Sequence, residues 1–180
     1  MFIPTTRFAL VVSGLATLIA AGCSFLQASA EVTPVDQQFM LTAASVGTAQ
    51  FDMAQLAERQ AGDPAVKAYG HRLVKEHAQI NEALGRLAEN KHVKLINVMD
   101  PANRTLYEEL THLSGAMFDR EYLLAQMNIH RMGNGLYDSE AQAGEDADVK
   151  AFAANNARAG AEQLQLAQAL LTKVQQRPRQ

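Results

Sequence analysis

Along most of this chain, apolar residues recur at alternating steps of three and four. Phe39, Ala43, Val46, Gln50, Met53 and Ala57 form one such run, and Val66, Gly70, Leu73, His77, Ile80, Leu84 and Leu87 form a second. That spacing puts each set on one face of an α-helix. Between the runs, Gly62-Asp63-Pro64 stops one helix and starts the next, with Asp63 as N-cap and Pro64 in the first turn. Asp36, shortly after Pro34, is the expected N-cap of the first helix. Residues 91–103, including Asp100-Pro101, break the period and predict a long connection. A short helix is expected from Arg104 to Leu113. Ser114-Gly115 then opens a third long helix that runs to Ala143, Gly144 ends it, and a fourth covers residues 146–175.

The chain also echoes itself. Gln60-Ala61-Gly62 followed by Val66-Lys67-Ala68-Tyr69 returns as Gln142-Ala143-Gly144 followed by Val149-Lys150-Ala151-Phe152, with one extra residue in the second copy. Each copy falls at a helix–helix turn. The pattern predicts an all-α protein, a four-helix bundle over residues 36–175 built from two αα-hairpins, with a short extra helix in the mid-chain crossover. One long crossover suits ferritin-like connectivity better than a simple up-down bundle. A coiled coil is disfavoured because each run stops after about four heptads at a capped turn.

The first stretch has another character. Arg7 followed by the uncharged, apolar Phe8–Ala21 reads as an export signal over residues 1–22. Its apolar part falls short of the about 20 residues a membrane span needs. Ala20-Ala21-Gly22-Cys23 resembles a bacterial lipobox, in which the cysteine is acylated and becomes the mature N-terminus; Ala20 stands where Leu is usual. Ala28-Ser29-Ala30 offers a competing cut that would release a soluble periplasmic protein. The lipoprotein reading is favoured, with residues 23–35 as a tether and Cys23 as the lipidation site. Acyl chains would then hold the domain at a membrane. By the same resemblance, the uncharged Ser24 points to an outer-membrane lipoprotein facing the periplasm. Residues 176–180 read as a frayed tail.

Composition narrows the function classes. The 180 residues carry a net charge of −3, and aromatic residues make up 6% with no Trp. Neither a basic polyanion-binding face nor a base-stacking platform is expected, so no nucleic-acid partner is. A single Cys excludes an internal disulfide and any Cys-cluster metal site. No nucleophile-elbow or phosphate-loop motif supports catalysis. The seven Met are scattered at spacings typical of core filling.

Candidate chemistry comes from polar residues inside the apolar stripes. Gln50 and His77 lie in theirs, and Gln163 lies in a fourth stripe of Val149, Phe152, Asn156, Gln163, Ala167, Leu170 and Val174. On the third helix His130 aligns with Leu123, Met127 and Tyr137, while Phe118, Tyr122, Ile129 and Leu136 form a rival stripe about 100° away. At 1.5 Å per residue, Gln50 and His77 stand about 19 and 22 Å from the first turn, and His130 and Gln163 about 22 and 28 Å from the second. All four can therefore meet at mid-bundle, where bundles place metal ligands. Two imidazoles suit Fe, Zn or Cu, but Gln is a poor ligand and brings no charge. Val74 and Met127 occupy the positions where Glu-x-x-His pairs would need Glu, and Glu76 points about 100° from His77. A buried hydrogen-bonded layer of Gln50, His77, His130 and Gln163 is thus preferred to a metal site at His77 and His130. His71, His92 and His112 are expected in solvent, and Asp119-Arg120-Glu121 in an exposed first turn.

Several segments together resemble a bacterial envelope family known as domain of unknown function 4142, a ferritin-like group. They are Pro64-Ala65-Val66-Lys67 leading to Leu73-Val74-Lys75-Glu76-His77, and Leu113-Ser114-Gly115-Ala116-Met117-Phe118-Asp119-Arg120-Glu121-Tyr122 leading to His130, with Val149-Lys150-Ala151-Phe152-Ala153 as a third. The resemblance covers residues 38–172 and implies the fold but no activity. It also implies two departures. Gln50 stands where relatives usually show Glu, and Ala157-Arg158 followed by Gln163 stands where they usually show Leu-Pro and then His. If the family pattern is a metal site, this chain has lost its charged ligand and one imidazole. The expectation is therefore an exported, lipid-anchored, non-enzymatic binding or stress-related module without a cofactor. The alternative is a ferritin-like metal-binding, redox or storage protein using a transition metal at His77 and His130.

Overall fold

The structure, a computed structural model, describes residues 32–176. They form five helices: α1 (Pro34–Gln60), α2 (Pro64–Asn90), α3 (Pro101–Thr111), α4 (Gly115–Ala143) and α5 (Ala147–Gln176). Apart from one isolated bridge between Ala61 and Gly115, the described residues contain no strand. Residues 1–22, read as an export signal, Cys23, most of the expected tether and residues 177–180 lie outside the described residues.

Caps set the boundaries. Asp63 caps α2 as expected, accepting from the Ala65 N–H at 2.7 Å, with Pro64 next. Asp36 is not the cap of α1. Thr33 caps it, and Asp36 is the third helical residue of a capping box, each side chain bonding the other's backbone. The helix therefore begins before the expected cap, because Pro34 fits the first helical position, where its absent N–H is not needed. For the same reason α3 starts at Pro101, behind Asp100, three residues earlier than expected. Beyond α2, His92 takes the left-handed conformation (φ 56°) usually given to glycine after a helix end. Gly115 needs its positive φ of 58° to start α4, and the turn at Gly62 packs so closely on its backbone that a Cβ there would lie 2.7 Å from the Gly115 Cα.

The most extensive contacts run between α1 and α2, across the short 61–63 turn, and between α4 and α5, across the 144–146 turn. α1 also packs on α4, α2 on α5, and α3 against α1 and α4. The result is a helical bundle with α3 laid on one side. Two aspartates lock the turns from opposite ends. Asp119, in the second turn of α4, accepts the N–H groups of Gly62 and Asp63 at 3.0 and 2.8 Å. Asp36, in the first turn of α1, accepts those of Glu145 and Asp146 at 2.9 and 3.2 Å. Asp119 is therefore buried, which corrects the expectation of an exposed first turn; Arg120 is exposed and Glu121 half-buried. Asp146 caps α5 as Asp63 caps α2.

Apolar side chains gather into two clusters. One contains Met53, Ala57, Val66, Leu73, Phe118, Tyr122, Ala167 and Leu171; the other contains Phe39, Met40, Ala43, Leu84, Val149 and Ala153. On each of the four long helices a single polar position separates the two: Gln50, His77, His130 and Gln163. Ala153 and Leu171 are buried while Phe152 and Leu170 are half-buried, so α5 is rotated slightly from its sequence-based stripe.

Candidate functional site

All four polar-stripe residues are buried, with exposures of 3% for Gln50, 6% for His77, 3% for His130 and 2% for Gln163. They do not all touch. The Gln50 Nε2 and His130 Nδ1 are 3.3 Å apart, and the His77 and His130 rings stack with centroids 6.3 Å apart and planes 23° from parallel. Gln163 instead turns its amide to Glu76, donating from Nε2 to Oε2 at 2.6 Å. The rival stripe on α4 is buried as well: Phe118, Tyr122 and Ile129 join Leu123 and His130, so this helix buries a wide face.

Tyr69 links the two halves of the layer. Its hydroxyl lies 3.3 Å from His130 Nε2 and 3.1 Å from the Gln163 backbone carbonyl. A carbonyl oxygen can only accept, so the tyrosine proton goes there and the tyrosine oxygen is left to accept from His130. His130 then carries its proton on Nε2, and its Nδ1 receives the Gln50 amide N–H. One direction of donation thus runs from Gln50 through His130 and Tyr69 to the α5 backbone. Spacing could have found Tyr69: Tyr69, Leu73 and His77 stand four apart on one face of α2.

Glu76 is nearer the layer than its 100° offset from His77 suggested. One carboxylate oxygen accepts from Gln163, the other from Arg72 Nε at 2.5 Å, and Arg72 also faces Glu162 at 3.9 Å. A long side chain at the rim reaches sideways across the α2–α5 contact, which a helical wheel of α2 alone cannot show.

Burial keeps both imidazoles neutral. It lowers the His77 pKa to about 4, against a smaller opposing pull from Glu76, and lowers that of His130 to about 3, with His77 adding to the effect. Burial likewise pushes the Tyr69 hydroxyl well above its ordinary value. Several buried atoms have no protein partner: both nitrogens of His77, the Gln50 Oε1, the Tyr122 hydroxyl and both amide atoms of Gln126. Gln50, His77, His130 and Gln163 line a cavity of about 30 Å³, enough for a water molecule or one small polar group.

This donor set does not fit a tightly held divalent metal. Both nitrogens of His130 are engaged, the Glu76 carboxylate is held by Arg72 and Gln163, and the lone pairs left without a partner belong to His77 and to the Gln50 amide oxygen, a weak, uncharged ligand. Among the described residues, no group of three or more His, Cys, Asp and Glu side chains is placed to hold a metal ion. His71, His92 and His112 are exposed, His71 pairing with Glu58 at 2.6 Å. No described helix is long and apolar enough to cross a membrane.

Residues 22–170 match the family described as Domain of unknown function (DUF4142), and the chain belongs to it. The fold is shared with a crystal structure of a DUF305 fragment from Deinococcus radiodurans. That structure is 11% identical, aligns over 79% of this chain and 98% of its own, and superposes with a TM-score of 0.72. No curated protein matches the chain.

Proposed function

We propose that this member of the DUF4142 family is an exported, non-enzymatic binding or stress-related module of the cell envelope. In this reading residues 1–22 are a lipoprotein signal, Cys23 carries the acyl anchor, and a short tether leads to a ferritin-like bundle of two αα-hairpins. The bundle faces the periplasm from the outer membrane. The observation that carries the non-enzymatic reading is the wiring of the polar layer. Neutral groups satisfy one another from Gln50 to the α5 backbone, and the one carboxylate that reaches the layer, Glu76, is already held by Arg72 and Gln163.

Elemental analysis of the purified chain tests it. Substoichiometric Fe, Zn, Cu and Mn are expected; one or two tightly held ions per chain would overturn the reading. The metal-binding alternative, through His77 and His130, draws its support from the two unpartnered nitrogens of His77. Gln50→Glu combined with Gln163→His would raise metal affinity if the four positions can converge on an ion. For the anchor, Cys23→Ser should move the protein from the membrane to the soluble fraction, and unchanged membrane association would remove the lipid from the picture.

A further inference from the structure

Outside the polar layer, α1, α4 and the start of α3 enclose a groove of about 530 Å³, within the size range of small-molecule sites. Its walls are mainly apolar, with Leu41 and Val46 from α1 facing Ile129, Met132 and Leu136 from α4. Met132 is 78% exposed at the rim. No Lys, Arg or His lines it, and the one charged side chain there, Asp100, is committed to capping α3.

The groove and the mid-bundle cavity share a wall. Val46, Ile129 and Gly133 line both. At Gly133 that wall has no side chain, and a Cβ built there would meet nothing within 4 Å. Behind it stand Gln50 Oε1, which can only accept, and the two nitrogens of His77, one a donor and one an acceptor in the neutral ring, all without protein partners. A mainly apolar groove, with the hydroxyls of Thr42 and Ser45 in its α1 wall, therefore adjoins a small polar pocket that is uncharged and offers hydrogen bonds.

We infer that this groove binds an uncharged amphiphile, with its apolar body between α1 and α4 and a terminal hydroxyl passing Gly133 to meet Gln50 and His77. A carboxylate head is excluded by the same features: it would find two neutral imidazoles, no cation, and the Asp100 charge at the entrance. The inference gives a ligand class to the binding role proposed above and rests on it; metal analysis tests that role independently, so the two can fail separately.

The probe is 1-decanol, with decanoate as its charged counterpart, titrated into the isotope-labelled chain at pH 7 and followed by NMR. Decanol should shift the Gly133 amide and the His77 ring resonances together, and decanoate should bind at least tenfold more weakly. Gly133→Leu should cut decanol affinity at least tenfold while leaving the far-UV circular dichroism unchanged. Met132→Glu, at an exposed position where folding is not at stake, should weaken it several-fold. Decanol binding that leaves His77 unmoved, equal binding of decanoate, or indifference to both substitutions would overturn the inference, as would no binding up to the solubility limit.

Discussion

Asp119 and Asp36 close opposite ends of the bundle with the same geometry, and they are separated in sequence by as many residues as Asp63 and Asp146, whose N–H groups they receive. Each carboxylate ties a helix–helix turn to the helix that starts beside it. The electrostatic settings nevertheless differ. At the Asp36 end Glu140 lies buried beneath the turn, folded so closely under Gly144 that a Cβ there would lie 2.3 Å from its Oε1. Burial first, then the hydrogen bond and charge of Asp36, raise its pKa to about 7. Burial also pushes Asp36 upward, but hydrogen bonds from Thr33, Glu140 and the turn N–H groups outweigh it and keep Asp36 ionised. The two neighbouring carboxyls are thus set apart, Glu140 raised and Asp36 lowered. Nearby, Lys91 at the end of α2 bridges Asp146 and Asp148 at 2.7 Å each, and Lys150 pulls weakly against the rise at Glu140. At the other end, the position corresponding to Glu140 is Ala57, packed tightly against Gly70. One geometry has therefore been built once as a fixed clasp and once as a titrating one.

Removing Asp119 should have the largest effect. Asp119→Ala leaves two turn N–H groups without their charged acceptor, at a cost of about 3 kcal/mol, read as a lower midpoint in urea with unchanged slope. A cost under about 0.5 kcal/mol would mean the carboxylate is not what holds this turn. Next is Glu140→Gln, which keeps a donor to Asp36 but cannot ionise. A folded-state pKa raised above the unfolded one gives stability that is complete below about pH 4.5 and lost as the pH rises through about 7. Glu140→Gln should therefore match the parent chain at pH 4.5 and exceed it by about 2 kcal/mol at pH 8. The depressed pKa values of His77 and His130 have the opposite sign, with stability lost as the pH falls from about 6.5 towards 4. They are common to both chains and cancel in the difference. A gap independent of pH would show that Glu140 does not titrate against Asp36. The smallest effect at pH 8 is Asp36→Ala, about 1 kcal/mol, because losing its hydrogen bonds is partly offset by relief of the ionised Glu140. At pH 5, where Glu140 is protonated, the cost should grow. Equal costs for Asp36→Ala and Asp119→Ala at pH 8 would erase the contrast between the two ends.

Much of the bundle was legible because it rests on spacing. The three-and-four alternation located four long helices, and Gly62-Asp63-Pro64 and Gly144 located the turns. Where the reading slipped, a neighbour in space had decided the matter. Asp36 read as the first cap and Pro101 as part of a break, although Pro34 and Pro101 each fit the first turn of a capped helix. Asp119 read as exposed because the turn it binds is more than fifty residues away in the chain. In the site, position on a helical face identified Gln50, His77 and Gln163 as inward-facing and left His130 between two rival stripes of its helix. It could not show that Gln163 turns to Glu76, or that Tyr69 supplies the link to His130. Those partnerships depend on how α2, α4 and α5 sit against each other, and a single-helix projection holds no such information.

The polar layer also settles how far each helix may slide. Moving α1 by one turn would carry Gln50 out of the layer into one of the flanking apolar clusters and take its amide away from His130. Such a shift breaks the Gln50–His130 bond and adds to the buried polar atoms already without partners at His77 and Gln50. Leucine at all four positions is expected to keep or raise the melting temperature while widening the choice of stagger, read as broadened NMR lines. On that expectation the four interior polar side chains contribute to the choice of one alignment rather than to thermal strength.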